Sequence, residues 1–139
     1  MYFGPTTLLE ALEDSRNVVT IRLFESLGLQ HGASLVKRFD FSSMGQSWDI
    51  PPEVAVCLGT IDCSPIQMAS AYQVFANQGV GVRPQFFRSV VDNTGRVIVP
   101  LKHFEQQIIS PMTAYQMQYM LRQVVLRGTG YRPIGKVFK

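Results

Sequence analysis

The chain has 139 residues, 46% of them hydrophobic and 17% charged. That is one domain's worth of chain with enough apolar content to build a core, which excludes a disordered tail. A net charge of +3 with no run of basic residues excludes a nucleic-acid footprint. No apolar stretch approaches the roughly 20 residues that cross a bilayer, and no charged-then-apolar leader opens the chain.

Thr7 and Glu10 have capping-box spacing, which predicts a helix to about Glu13 with Leu8, Ala11 and Leu12 on one face. Asn17 can cap a second helix, in which Val18, Ile21, Phe24 or Glu25, and Leu27 alternate between core and solvent until Gly28. Ser15-Arg16-Asn17 is thereby left at the junction. The spacing predicts Ser15 and Asn17 together on an exposed turn, with Arg16 pointing away toward solvent, Asp14 or Glu13. In one unbroken helix the two would diverge by about 200°. On a turn, the hydroxyl can relay a proton while the carboxamide donates and accepts at the same time. Alone, S-x-N is a common pattern, and a helix end followed by an Asn cap also accounts for it.

A third helix is predicted over about 31–39, with Leu35, Val36 and Phe39 inward. Residues 40–53 read as loop, with Trp48 as a packing plug. Cys57 and Cys63 have a spacing that fits no zinc pattern, and His31 and His103 lie far off, which leaves free thiols, packed as small hydrophobes, or a disulfide open. Ser64-Pro65-Ile66-Gln67 opens a helix carrying Ile66, Ala69, Tyr72 or Gln73, and Ala76, closed by Gly79. Its small residues Ala69, Ser70 and Ala71 allow a neighbouring helix to come close. The segments 86–91 and 96–99 flank Asp92-Asn93-Thr94-Gly95 as a hairpin. Ser110-Pro111 opens the last helix, running to about Arg127, with Met117, Met120, Leu121, Val124 and Val125 as its apolar stripe. No Gly-rich loop follows a strand to cradle a phosphate.

Several blocks, in order, resemble one family. Gly4-Pro5-Thr6-Thr7-Leu8 through Ser15-Arg16-Asn17-Val18-Val19 resembles the second active-site motif region of penicillin-binding proteins, the class A bifunctional type above all. Leu58-Gly59-Thr60 with Ser64-Pro65-Ile66-Gln67-Met68-Ala69-Ser70-Ala71-Tyr72 and Phe75-Ala76-Asn77 resembles another block of that domain. Arg83-Pro84-Gln85-Phe86 and Asp92-Asn93-Thr94-Gly95 resemble its next strand pair, and Ser110-Pro111 through Gly128-Thr129-Gly130 the helix and glycine turn before its third motif.

The resemblance implies an α+β fold class: a mostly helical fragment with one β-hairpin, part of the penicillin-binding/β-lactamase-like transpeptidase fold. Residues 1–130 would be a partial transpeptidase domain and 131–139 a divergent or truncated tail. It implies D,D-transpeptidation on peptidoglycan stem peptides, through a serine acyl-enzyme that β-lactams also form, with no metal or organic cofactor. By position, Ser15 would relay protons and Asn17 would bind the amide of substrate or drug, while Gly128, Thr129 and Gly130 would shape the wall near the third motif.

Such enzymes use S-x-x-K, S-x-N and K-[ST]-G. Here Ser34-Leu35-Val36-Lys37 matches the first in letters but follows S-x-N, and a nucleophile needs its base in the same site. Gly135-Lys136 stands roughly where the third is expected, but Val137 and Phe138 replace Thr and Gly. The expectation is therefore an internal fragment, inactive alone. The family is anchored in the cytoplasmic membrane with its catalytic domain outside; this chain, with no membrane segment, is expected to be cytoplasmic if expressed alone. The competing expectations are a non-catalytic helical interaction module, pairing with the remaining part of the transpeptidase domain, or a remnant of a broken gene.

Overall fold

A computed structural model of the chain describes residues 4–39, 49–100 and 104–137. Trp48 and most of the expected 40–53 loop lie outside the described residues. Helix α1 (Leu8–Glu13) starts at the expected capping box: the Thr7 hydroxyl accepts from the Glu10 amide, and the Glu10 carboxylate accepts from the Thr7 N–H. Those Thr7 donors hold the Glu10 carboxyl below the usual carboxylate range. Helix α2 (Asn17–Leu27) and helix α3 (Leu29–Lys37) meet at Gly28, whose φ of 84° lets the chain turn directly from one into the other. Phe24 is buried against Gly32, where even a methyl group would collide with its ring. Leu35, Val36 and Phe39 are half-buried, as the third helix's pattern requires.

A short 3-10 helix follows at Val54–Leu58, a stretch too brief to leave a periodic signal. Cys57 and Cys63 are free and half-buried. Helix α4 (Pro65–Ala76) begins at Ser64 with both halves of its capping box formed. Its buried face is Ser70, Ala71 and Val74, which corrects the expected face of Ile66, Ala69, Tyr72 or Gln73, and Ala76; Tyr72 is 55% exposed and Gln73 half-buried. The physical reason is size. The small side chains let other elements approach, and Ser70 is buried without penalty because its hydroxyl donates to the Ile66 carbonyl.

The fold class holds, with one addition. The expected hairpin is present as strand β2 (Val90–Val91) paired with strand β3 (Val97–Val99). The Asp92 carboxylate closes its loop by accepting from the Thr94 hydroxyl and the Thr94 and Arg96 amides. A second antiparallel pair was not foreseen: strand β1 (Val80–Val82) lies beside strand β4 (Glu105–Gln107), with Gly81 opposite Gln106. Three-residue strands carry no readable alternation, and this pair closes across a long stretch of chain. Immediately after it, Ile108 and Val74 form the most deeply buried contact of the described residues, flanked by Phe39, Phe104 and Ile109. Helix α5 (Pro111–Leu126) is capped by Ser110 and packs against α1 and α4. Ala114 is fully buried there, and the Met117-Met120-Leu121-Val124-Val125 stripe is half-buried. A single π-helical turn, Tyr131–Gly135, ends the described chain.

Candidate functional site

The junction between α1 and α2 is built by backbone geometry. Beyond the last residue of α1, the Arg16 amide bonds the Ala11 carbonyl at 2.8 Å and the Ser15 amide bonds the Leu12 carbonyl at 3.3 Å. These are the two bonds of a Schellman closure, which places Ser15 at the left-handed position that glycine normally takes. Ser15 has φ of 55°, so a side chain with a Cβ is held where it costs about 1–2 kcal/mol.

Arg16 then turns away as expected. Its guanidinium binds Asp14 through Nε at 3.1 Å and Nη2 at 2.7 Å, and its Nη1 donates to the Thr6 hydroxyl. One expectation fails here. Arg16 is the N-cap of α2, and Asn17 is already its first helical residue, making no capping bond. Asp14, Ser15 and Arg16 alone separate the helices, and Arg16, which closes the Schellman turn, also serves as the N-cap, so Asn17 is drawn inside α2.

The result is an exposed Ser15 between the two helices and an exposed Asn17 at the first residue of α2. Neither side chain makes a hydrogen bond among the described residues. The hydroxyls of Thr6, Thr7, Ser26, Ser34, Ser64 and Ser70 are all committed to neighbours. Ser34 in particular donates to the His31 carbonyl within α3, and Lys37 is exposed one helical turn on.

Gly128-Thr129-Gly130 closes the end of α5. The Gly128 and Gly130 amides bond the Val124 carbonyl, and the Thr129 amide bonds the Glu13 carbonyl at 3.0 Å. All three amides are thus taken within the chain, which leaves the Thr129 side chain, exposed, as the polar group this turn can offer a ligand. The turn sits against the residue that begins the S-x-N junction, so the structure brings the two predicted regions together.

A pairing that sequence reasoning missed, Glu13 with Arg127, makes this contact. Glu13 is buried, and its carboxylate accepts from Arg127 Nε at 2.9 Å and Nη2 at 2.7 Å. The Glu13 carboxylate holds the Arg127 guanidinium above its ordinary value, first by the hydrogen bond and then by charge. A signal did exist: Glu13 is an acid in the last turn of α1, where the helix dipole disfavours it and a cation is needed nearby.

An apolar groove of about 320 Å³ lies elsewhere, lined by Leu35, Val36, Phe39, Met68, Ala71 and Phe75 among others. Among the described residues its wall is almost wholly apolar and carries no charged, amide or hydroxyl side chain. Among the described residues, no cluster of three His, Cys, Asp or Glu could hold a metal ion, and no helix is long and apolar enough to cross a membrane.

Helix α5 packs against α1 and α4, α1 meets α2 at the polar junction, and two small antiparallel strand pairs complete the described fold. The family described as the penicillin binding protein transpeptidase domain matches residues 2–137, and the chain belongs to it. Penicillin-binding protein 1A of Clostridium acetobutylicum is 38% identical over 128 residues, which is 91% of this chain and 16% of that protein. The chain thus spans about a sixth of the length of that relative. Penicillin-binding protein 1A of Haemophilus influenzae superposes with a TM-score of 0.77 at 23% identity, over 94% of this chain and 23% of that one. Penicillin-binding protein 3 of Mycobacterium tuberculosis, in complex with aztreonam, gives 0.77 at 24% identity, over 95% and 33%.

The unusual conformation of Ser15 yields a direct test. Ser15→Gly removes the left-handed penalty and is expected to raise stability by about 1 kcal/mol in urea unfolding. A destabilised Ser15→Gly chain would mean that the hydroxyl serves the fold and not a ligand.

Proposed function

We propose that this chain supplies the S-x-N portion of a peptidoglycan D,D-transpeptidase site. In that reaction a serine hydroxyl, elsewhere in the domain, attacks the carbonyl of a D-alanyl-D-alanine bond. The terminal D-alanine leaves with a proton, an acyl-enzyme forms, and an amine of a second stem peptide takes the acyl group while the serine regains its proton. Ser15 relays the proton between serine, lysine base and leaving amine. Asn17 donates to a carbonyl and accepts from an N–H of the bound peptide or β-lactam. Thr129 offers its hydroxyl on the facing turn. The observation that supports this most is the pair itself: a serine held at a glycine position and a carboxamide with no task in folding, side by side on an open junction. Local strain of this kind marks functional sites.

Catalytic groups of this sort act as a unit, so one without the others retains almost nothing. The 139-residue chain incubated with a fluorescent penicillin is therefore expected to gain no covalent mass. Exchanged for the matching segment of the Clostridium acetobutylicum relative, it is expected to restore labelling in the chimera. A folded chimera that never labels would overturn the reading.

The β2–β3 hairpin favours a second reading. Val91, Val97 and Ile98 are 53%, 50% and 62% exposed, an apolar surface suited to pairing with the remaining part of the transpeptidase domain. If pairing is all the chain does, Ser15 and Asn17 substitutions will leave labelling of the chimera unchanged.

A further inference from the structure

We infer that Glu13 is a positioning residue that fixes the Ser15-Arg16-Asn17 junction in place by tying it to the turn after α5. As a statement about catalysis this rests on the transpeptidase reading; as a statement about the junction it stands on geometry alone.

Glu13 is linked to the end of α5 twice, through different atoms. Its carboxylate takes both Nε and Nη2 of Arg127, at 2.9 and 2.7 Å. Its backbone carbonyl accepts the Thr129 amide at 3.0 Å. A third observation shows how closely the two segments are seated. A methyl group on Gly128 would lie 2.5 Å from the Glu13 carbonyl oxygen, so that position tolerates only glycine without the seam opening.

The chain leaving this anchor reaches Ser15 in two residues. The junction has no side-chain cap on α2 to hold it, and Ser15 sits in a conformation that relaxes unless its surroundings enforce it. On one side the Arg16–Asp14 pair is local and joins residues only two apart. The Glu13 links tie the junction to a distant element, α5, whose glycine turn forms the facing wall. Two polar walls thereby keep a fixed separation, which is the requirement for side chains that must meet one ligand together. The carboxylate also carries directional information that an apolar contact would not, because a guanidinium engages it through two N–H groups in one plane.

The test uses the full chain and hydrogen–deuterium exchange read by mass spectrometry, which works whether or not copies associate. Arg127→Met changes a side chain 112 residues along from Ser15 and removes only the cation. Exchange over residues 12–17 is expected to quicken several-fold, with residues 65–76 of α4 unchanged. Arg127→Lys, which keeps the charge but not the planar pair of donors, is expected to recover part of the protection. Gly128→Ala, which forces the backbone seam apart, is expected to loosen the same segment and serves if the Met variant does not accumulate. Unchanged exchange over 12–17 in both variants would overturn the proposal. So would an equal rise over α4, which signals general loosening, or a Lys variant no better than Met. Failure of the transpeptidase reading shows separately, as an unlabelled chimera, and leaves these exchange rates untouched.

Discussion

Gly79→Ala is expected to cost about 3 kcal/mol or more and to lower the melting temperature by about 10 °C. Gly79 has φ of 85°, which alone penalises alanine by about 1–2 kcal/mol. The remainder is steric. A methyl group there would fall well inside contact distance of the Ile109 carbonyl oxygen, and backbone cannot swing aside as a side chain can. The Gly79 amide closes α4 on the Val74 carbonyl, and its own carbonyl receives the Ile108 amide, both at 2.8 Å. Val74 and Ile108 are the largest fully buried side chains among the described residues, so the clash lands on the hinge between α4, the β1–β4 pair and the core. Gly28→Ala is the control. Its φ of 84° is nearly the same, but no atom of the described residues lies within 4 Å of the added methyl, so only the conformational penalty of about 1 kcal/mol remains. Thermal melts by circular dichroism separate the two; equal losses would show that crowding at Gly79 is not the cause.

That control also marks what the amino-acid pattern could convey. Gly79 was legible as the end of α4, because helix termini are written in short local codes: Ser64-Pro65 and Ser110-Pro111 at starts, glycine at ends. Ser-Pro and capping-box signals placed α1, α4 and α5 closely for that reason. The Asp92 loop was legible because one carboxylate organises it locally. The β1–β4 pair was not, because its partners are set by a long-range closure that also depends on Gly79. The face of α4 was misjudged since its mean apolarity is high all round and its packing is decided by small residues, not large ones.

The site divides in the same way. Ser15 and Asn17 were legible from helix signals on either side. The cap was misassigned, because a Schellman closure consumes residues that a count of helix positions leaves free. Glu13 and Arg127 were hidden by distance along the chain, and an acid at the end of a short helix is a weak cue without its partner in view.

Asn17→Ala is expected to slow penicillin acylation of the chimera on the order of 100-fold while leaving its stability within about 0.5 kcal/mol. The two halves rest on one observation. Asn17 makes no capping bond for α2 and no side-chain hydrogen bond among the described residues, so alanine, the better helix former, removes nothing from the fold. A carboxamide that grips the amide of a bound β-lactam would be lost outright, and a single well-placed donor of this kind contributes about 3 kcal/mol to the transition state. Ser34→Ala should label at the parental rate, because its hydroxyl is bound to the His31 carbonyl inside α3 and Lys37 faces solvent. Acylation is followed as fluorescence incorporated against time, with unfolding curves on the same samples. An Asn17→Ala chimera that labels at full speed would remove Asn17 from the site. Label lost only in Ser34→Ala would relocate the nucleophile to α3 and make the order of motifs in this chain the wrong guide to its chemistry.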